Sequence, residues 1–252
     1  MPIYTDEMSG LHNFGSTCYV NSIVQVLRYT KPVVADLINE TPSNETMKLF
    51  LDLLYQDANA LPFIQRLKDI GFHPHMQHDA HEFMITVLDK LYESVPNKNP
   101  FEGTFETTLT CEKGHTRTVT QPFVSLSING SVKEGICALE QPEDVECKCE
   151  ECDLTRMSKQ TRVKPGKAIC VHLKRFNANQ KLTYKIPVLQ SWKDYELIAT
   201  CNHIGCMEGG HYTASAFTDK GWYLFNDEHV TKLNKIPEMS RLPYIMVYLL
   251  NE

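Results

Sequence analysis

The sequence predicts an α+β fold in which a helical first hundred residues precede a β-rich remainder. Apolar residues recur at helical spacing within residues 1–100, and from residue 101 onward Thr, Val and Phe alternate at the period of a strand. A third observation is the stretch 129–160, which is polar, acidic and cysteine-rich with little apolar periodicity. These patterns predict a helical lobe, a β lobe and, between two groups of strands, an insert with the character of a metal site.

Composition excludes several classes of protein. The chain has 252 residues with 42% hydrophobic content, which fits one large packed domain or two small ones. A net charge of −6 gives no basic field for nucleic acid. The segment 1–10 lacks the basic start and apolar core of a signal peptide, and no apolar run is long enough to span a membrane. Close pairs among the nine cysteines predict metal or catalytic chemistry in a reducing compartment, the cytoplasm or nucleus.

Three helices are predicted in the first hundred residues. The first begins just after Cys18, where apolar residues recur at i, i+3, i+4 and i+7: Val20, Ile23, Val24 and Leu27. The second covers 43–58 and has one apolar face: Met47, Phe50, Leu51 and Leu54. The third follows Asp79, where Asp79-Ala-His-Glu82 matches an acidic variant of the capping box. The proline-flanked segment 96–100 then ends the helical region.

Strands are predicted from residue 101 onward. Segments 101–110 and 116–128 alternate at period two, and alternation returns at 169–173. Segments 211–218 and 222–225 flank Asp-Lys-Gly, which predicts a hairpin.

Cys18 is a candidate nucleophile because its loop runs straight into the first helix. The N–H groups and partial positive charge of a helix N-terminus stabilise a thiolate and lower its pKa. The same N–H groups, together with the side-chain amide of Asn13, provide donors for an oxyanion. The alternative is a buried structural cysteine, which is the commonest fate of an isolated Cys.

The motif around Cys18 resembles the Cys box of the ubiquitin-specific proteases, G-L-x-N-x-G-x-T-C-Y-x-N-S-x-x-Q. Ten positions match: Gly10, Leu11, Asn13, Gly15, Thr17, Cys18, Tyr19, Asn21, Ser22 and Gln25. Further on, GGHYTASAF resembles the family's His box, and WYLFNDEHV resembles the W-Y-x-F-[ND]-D-x-x-V motif that follows it. The resemblance continues through HLKRF to PYIMVYLL and so covers nearly the whole chain.

The resemblance implies a Cys-His-Asn arrangement in which His211 is the general base for Cys18. The family position of the third member falls on Asn226, whose oxygen would accept from Nδ1–H of the imidazole. Geometry alone leaves Asn226 and Asp227 open. A two-residue hairpin loop places Asn226 on the face of His211 as a diagonal neighbour, whereas a three-residue loop favours Asp227.

The segment QHDAHEF resembles a third family signature, and the resemblance implies contacts with the C-terminal tail of ubiquitin. Asp79 and Glu82 would pair with the tail arginines, although a helix cap already explains their spacing. Gln77 belongs to the same signature. His203 matches the H-x-G before the His box, and Gly209 and Gly210 leave room for a close backbone approach. We expect loop 201–209 to act as a lid that carries two unpaired thiols; a second metal site around His203 is the alternative.

A zinc site is predicted in the insert. Cys149 and Cys152 form a C-x-x-C, and the family supplies a second pair after its first finger strand. Here Gly114 occupies the place of one expected cysteine, so His115 would complete a Cys3His site with Cys111. Cys147 is a rival fourth ligand, and a finger that has lost zinc is the alternative to both. Any zinc held by four protein ligands is structural, and the catalysis needs no cofactor.

As a whole, the resemblance implies a papain-like cysteine protease fold formed by a single domain. Its parts would be a helical thumb at 1–100, fingers at 101–168 and a palm sheet at 169–252. The implied activity is thiol-dependent hydrolysis after the Gly-Gly of ubiquitin, with ubiquitin and ubiquitinated proteins as partners. We expect a monomer with room for an activating protein partner. An inactive ubiquitin-binding module and a protease for another ubiquitin-like modifier are the two alternatives.

Overall fold

The computed structural model describes residues 8–37, 42, 44–55, 59–93 and 99–251. It contains helices and sheets in the predicted order, which confirms the α+β class. The helices are α1 (Cys18–Arg28), α2 (Lys31–Leu37), α3 (Glu45–Tyr55), α4 (Leu61–Gln65), α5 (Ala80–Tyr92) and α6 (Val132–Glu140), with a 3-10 turn at Leu67–Ile70. Parts of two predictions, 43 and 56–58 of the second helix and 96–98 of the breaker, lie outside the described residues, as do residues 1–7.

The strands form three sheets. Their bounds are β1 (Gly103–Cys111), β2 (Thr116–Phe123), β3 (Ser125–Ile128), β4 (Glu143–Glu146), β5 (Arg156–Lys164), β6 (Ala168–Leu173), β7 (Ile186–Pro187), β8 (Ser191–Trp192), β9 (Tyr195–Gly205), β10 (Gly210–Thr218), β11 (Gly221–Asn226), β12 (His229–Lys232), β13 (Met239–Ser240) and β14 (Pro243–Leu250). The large sheet has the order β12-β11-β10-β9-β14-β6-β3, with β8 beside β9. A four-stranded sheet has the order β2-β1-β5-β4, and β13 pairs with β7.

Helix α1 lies at the centre of the fold. Every residue from Cys18 to Leu27 is buried, because α1 packs against β9, β10 and β11 of the large sheet and also against α2, α3 and α5. The predicted apolar stripe therefore describes only part of a helix that is covered on all sides. The polar members of α1 are buried with it, and this position brings Asn21 and Gln25 into contact with the loop before the helix.

Helix α5 begins where the sequence predicts. The side chain of Asp79 accepts hydrogen bonds from the backbone N–H groups of His81 and Glu82, at 2.7 and 3.0 Å, and so caps the first turn. The predicted stripe of Phe83, Val87, Leu88 and Leu91 is buried in the core shared with α1 and α3.

The insert is more regular than the sequence predicts. Helix α6 and strands β4 and β5 lie largely within the stretch 129–160, where little periodicity is visible. The sequence does contain a signal, because Ser131 and Glu134 form a full capping box at the start of α6. The four-stranded sheet has mostly exposed faces, and β2 is exposed along nearly its whole length, so apolar alternation is weak there.

The predicted strand 116–128 is two strands in different sheets. Strand β2 pairs with β1, whereas β3 runs parallel to β6 in the large sheet. The chain therefore leaves the finger-like sheet at Val124. The range 101–168 predicted as fingers also includes β3, which is a strand of the large sheet, and α6, which packs against both β5 and β3.

Segment 201–209 differs most from its prediction. Residues 201–205 belong to β9, and only 206–209 form a turn before β10. Cys201 is fully buried in the core beneath the sheet and is not a loop thiol. A central strand covered on both faces loses period-two alternation, which explains why the sequence suggested a loop. Within the described part of the chain, no helix is long and apolar enough to cross a membrane.

Candidate active site

The loop before α1 holds Cys18 at the start of the helix. Gly15 adopts φ +110°, a left-handed conformation that favours glycine. Phe14 N–H donates to Thr17 Oγ1 at 3.0 Å, and Thr17 N–H donates to Asn13 Oδ1 at 3.1 Å. These local bonds replace a side-chain cap and turn the chain directly into the first helical turn.

The sulfur of Cys18 lies in a buried pocket of backbone amides. The residue is 4% exposed, and the backbone N–H groups of Tyr212 and Tyr19 lie beside the sulfur, where they favour its thiolate form. Burial raises the pKa of the Cys18 thiol, and the negative charge of Asp227 raises it further. The amide hydrogen bonds lower the pKa but do not outweigh burial. The expected lowering by the amides at the helix N-terminus is therefore present, but desolvation outweighs it.

The register of the β10–β11 hairpin sets the partner of His211. A two-residue loop, Asp219-Lys220, pairs Thr218 with Gly221 and Ala214 with Phe225. Asn226 thereby lies on the same face as His211, as the shorter loop predicted. Nε2–H of His211 donates to Asn226 Oδ1 at 2.6 Å. The contact uses Nε2 where Nδ1 was expected, which leaves Nδ1 as the nitrogen available to the thiol.

Asp227 connects the loop before α1 with the end of β11. Its carboxylate accepts from Asn13 Nδ2 at 2.9 Å and from Asn21 Nδ2 at 2.8 Å, and its carbonyl accepts from Leu11 N–H at 2.9 Å. The residue has φ +50°, a conformation that Asp tolerates better than most residues. Its Oδ2 lies 3.7 Å from His211 Nε2. Asp227 therefore joins the segment that positions Cys18 to the segment that carries Asn226.

Two further contacts fix the same junction. A β-carbon at Gly10 would lie 2.3 Å from the carbonyl oxygen of Asp227, so only glycine fits there. His12 Nδ1 lies 2.6 Å from Glu228 Oε1 on the exposed rim. Because the loop before α1 lies so close to the β11–β12 turn, it needs glycine at position 10 and tolerates the hydrogen-bonding pair of His12 and Glu228.

Asn13, the predicted oxyanion donor, already has two partners. Its Nδ2 donates to Asp227 and its Oδ1 accepts from Thr17. A primary amide has two N–H donors, so the oxyanion role stays a prediction that requires the second of them.

The residues predicted to contact substrate are not all equally accessible. Glu82 is exposed, whereas Asp79 is half-buried and also accepts a short hydrogen bond from Tyr244 Oη. Gln77 is exposed and bonds to both backbone groups of Gly210. His203 requires correction, because its ring is 5% exposed and packs against Phe176, Tyr212 and Tyr244.

His203 forms the support beneath the glycines instead. A β-carbon at Gly210 would lie 2.2 Å from His203 Nε2, so no side chain fits at position 210. Burial lowers the pKa of His203 to about 4, and the nearby charge of Lys181 lowers it as well. The ring is therefore neutral at physiological pH.

Four metal-ligand side chains meet at the tip of the four-stranded sheet. The ligand atoms of Cys111, His115, Cys149 and Cys152 all lie within 4.8 Å of one another, and this is the predicted Cys3His set. Cys147 does not belong to the group; its thiol contacts the carbonyl of Lys148. Burial raises the pKa of Cys111, but hydrogen bonds from the backbone N–H groups of His115 and Lys113 outweigh it and bring that pKa to about 7. Thiols and an imidazole at this spacing fit a tetrahedral metal ion.

Some residues of the site were not assigned a role from the sequence. Asn21, Tyr212 and Tyr244 bind Asp227, Cys18 and Asp79 respectively. Asn21 lies within the Cys motif and Tyr212 within the His motif, so the motifs could have indicated that both residues belong to the site. Tyr244 lies in the last strand, far from Asp79 in sequence, and only the fold reveals that contact.

The fold and the side chains around Cys18 define a papain-like cysteine hydrolase. A family model described as ubiquitin carboxyl-terminal hydrolase matches residues 9–191 and 184–248. The chain therefore belongs to the ubiquitin carboxyl-terminal hydrolase family, which confirms the resemblance drawn from the Cys and His motifs.

Curated relatives extend over most of the chain. Ubiquitin carboxyl-terminal hydrolase 51 of Mus musculus is 27% identical over 97% of the chain, and ubiquitin carboxyl-terminal hydrolase 23 of Arabidopsis thaliana is 26% identical over 95%. Ubiquitin carboxyl-terminal hydrolase 8 of Saccharomyces cerevisiae is 24% identical over 98%. The chain spans 51%, 35% and 71% of these three proteins respectively.

Solved structures share the fold. Ubp8 in the SAGA DUB module bound to monoubiquitin superposes with a TM-score of 0.81 at 23% identity, covering 97% of this chain and 69% of that chain. The same module bound to ubiquitin aldehyde gives 0.80 at 23% identity, covering 99% and 70%. The papain-like α+β fold predicted from the sequence is thereby confirmed.

Proposed function

We propose that the chain is a deubiquitinase that hydrolyses the isopeptide or peptide bond after the C-terminal Gly-Gly of ubiquitin. The observation that carries the proposal is the hydrogen bond from His211 Nε2–H to Asn226 Oδ1. His211 precedes Tyr212 on β10, and the backbone N–H of Tyr212 lies beside the sulfur of Cys18. Membership of the ubiquitin carboxyl-terminal hydrolase family supports ubiquitin as the substrate.

The reaction follows from this placement. Nδ1 of His211 takes the proton of the Cys18 thiol while Asn226 holds the ring through Nε2–H. The thiolate attacks the carbonyl carbon of the last glycine, and the leaving amine takes the proton from the imidazolium. Water, activated by the same imidazole, then hydrolyses the thioester. The backbone N–H groups around the sulfur are donors for the oxyanion in both steps.

The channel to Cys18 is suited to a glycine tail. Gly210 carries no side chain, and the buried ring of His203 leaves no room for one at that position. Asp79 and Glu82 follow Gln77 in the chain, and we expect these two carboxylates to pair with the tail arginines. The cap and tail-binding roles of Asp79 are compatible, because a carboxylate has about four acceptor sites.

The Cys3His group is proposed to hold a structural zinc ion. Cys111, Cys149 and Cys152 with His115 would supply all four ligands, which leaves no open position for catalysis. The metal would connect the β1–β2 turn with the β4–β5 connection, where the local core is small.

We also expect an activating protein partner and a reducing cellular compartment. Ubp8 is assembled with Sgf11, Sus1 and Sgf73 in its structures, and we expect an activating protein partner here as well. From the close cysteine pairs in the sequence we expect the chain to act in a reducing compartment, the cytoplasm or nucleus.

A panel of probes tests the proposed function. Ubiquitin and its relatives that end in Gly-Gly, each with a C-terminal electrophile, are incubated with the chain. We expect covalent labelling of Cys18 by the ubiquitin probe. Labelling only by a different modifier would assign that modifier as the substrate, and the absence of any labelling would refute the enzyme claim.

Replacing Asn226 and Asp227 separately distinguishes their roles. For Asn226→Ala we expect kcat to fall about 10- to 100-fold, since one hydrogen bond that orients the imidazole is lost. The melting temperature should change little. For Asp227→Ala we expect a drop of several degrees as well, because the amides of Asn13 and Asn21 lose their acceptor. A larger fall in kcat at Asp227, with an unchanged melting temperature, would assign the orienting role to Asp227.

The charge of Asp227 should also set the pH dependence of Cys18. Its negative charge raises the pKa of the thiol, so removing the charge lowers that pKa. For Asp227→Asn we expect the rate of Cys18 alkylation by iodoacetamide to rise at lower pH than in the wild type. Glu228→Gln is the matched control, because it removes the neighbouring exposed carboxylate. An unshifted profile in Asp227→Asn would contradict the electrostatic account.

A further inference from the structure

The backbone of Gly210 faces an open edge of the large sheet. Cys206 N–H donates to the Gly209 carbonyl at 3.0 Å, so the next pair, Gly205 and Gly210, is a non-hydrogen-bonded pair of the antiparallel ladder. The N–H and C=O of Gly210 therefore point away from β9. Neighbouring strand β11 pairs with β10 only as far as Ala214 and does not cover this edge.

The same edge leads to the nucleophile. Tyr212, two residues further along β10, also points its N–H away from β9, on the side where the Cys18 sulfur lies. Successive strand residues advance about 3.3 Å. An extended chain whose scissile carbonyl meets Cys18 would thus place the backbone of its preceding residues beside Gly210, where the N–H and C=O can form a strand-like pair.

A side chain of the protein itself fills that position. Gln77 Nε2 donates to the Gly210 carbonyl at 2.9 Å, and Gly210 N–H donates to Gln77 Oε1 at 3.1 Å. One carboxamide therefore satisfies both backbone groups, as a neighbouring strand would. We propose that Gln77 is a latch: its carboxamide covers the pairing edge of Gly210 and is displaced by the backbone of the incoming Gly-Gly tail.

The surroundings favour displacement of the side chain alone. Gln77 is exposed, and its carboxamide makes no other hydrogen bond among the described residues. Its backbone is held two residues later, because Asp79 caps α5 and binds Tyr244. Rotation of one exposed side chain uncovers the edge without movement of α5. The latch thus limits which tails bind: a tail displaces Gln77 only if its own hydrogen bonds with Gly210 compensate for the two that Gln77 loses.

The latch rests on the proposed function, and its first test needs no substrate. Gly210 N–H should exchange with deuterium faster in Gln77→Ala than in the wild type, because its acceptor is removed. Unchanged exchange would show that the contact does not form in solution and would refute the latch.

The second test measures binding of free ubiquitin by calorimetry in the Cys18→Ser background. Adding Gln77→Ala should tighten binding roughly 3- to 10-fold, because two exposed hydrogen bonds no longer compete. Gln77→Met keeps the bulk without the hydrogen bonds and should act in the same direction. Gln65→Ala, an exposed glutamine at the end of α4, is the matched control and should leave affinity unchanged.

Kinetics separates a latch from a positioning role. With Cys18 present, Gln77→Ala should lower KM by the same factor and leave kcat unchanged. A fall in kcat at constant KM would mean that Gln77 positions His211, and weaker binding would mean that it holds the tail; either result overturns the latch. If no variant binds ubiquitin while the Gly210 exchange responds as expected, ubiquitin is not the substrate, whereas the Gln77–Gly210 contact is still supported.

Discussion

Cys18→Ser should reduce hydrolysis of a ubiquitin substrate by at least about 10⁴-fold, the scale on which a catalytic nucleophile contributes. The sulfur is buried among the backbone amides of Cys18, Tyr19 and Tyr212. An alcohol at the same place is a far weaker nucleophile at neutral pH, and its proton is harder for His211 to remove. Steady-state kinetics on a fluorogenic ubiquitin substrate measures the loss.

The binding surface should survive this change. A hydroxyl replaces a thiol of similar shape, so the variant should bind ubiquitin and melt within a few degrees of the wild type. Cys137→Ser is the matched control, because Cys137 is an exposed thiol on α6, away from the site. Retained turnover in Cys18→Ser, or lost turnover in Cys137→Ser, would place the nucleophile elsewhere.

Cys152→Ser should remove zinc and destabilise the four-stranded sheet. Elemental analysis of the wild type should give about one zinc per chain, and the variant close to none. Among the described residues, the buried members of the local core at the tip are only Leu109, Cys111, Cys149 and Met157, so a bound metal ion would supply much of its stability. We expect the melting temperature to fall by about 5–15 °C, from a loss of a few kcal/mol in a chain of this size.

Cys147 provides the control for the zinc prediction. It is a cysteine in the same segment, but its sulfur lies outside the four-ligand group. Cys147→Ser should therefore keep both the zinc content and the melting temperature. Zinc loss in Cys147→Ser with retention in Cys152→Ser would exchange their roles, and a metal-free wild type of full stability would refute the zinc proposal.

Local patterns were enough to predict the principal catalytic elements. The apolar spacing after Cys18 predicted α1, the position of Asp79 predicted the cap of α5, and Asp-Lys-Gly predicted the hairpin, although its register was left open between Asn226 and Asp227. In each case the deciding interaction lies within a few residues along the chain or across one tight turn. Such short-range interactions can be predicted from the local sequence.

Predictions failed where burial or long-range pairing decides. The pKa of Cys18 is raised because α1 is covered by the large sheet, and the helix N-terminus alone cannot reveal that. Segment 201–205 is a central strand because β14 and β10 flank it, although its own residues resemble a loop. The contacts of Asp227 with Asn13 and Asn21 join positions more than 200 residues apart, so they follow only from the complete fold.

The all-round burial of α1 has a consequence for biosynthesis. The helix is made early, at residues 18–28, but the strand that covers it, β10, is made near the end, at residues 210–218. Helices α2, α3 and α5 can cover part of α1 early in translation, but the face that packs against β10 stays uncovered for almost two hundred residues. The nascent chain is therefore exposed to aggregation for most of its synthesis and is a natural client for chaperones. For the same reason, a message truncated before β10 yields no partly active enzyme, since the pocket around Cys18 forms only when the last third of the chain has folded over it.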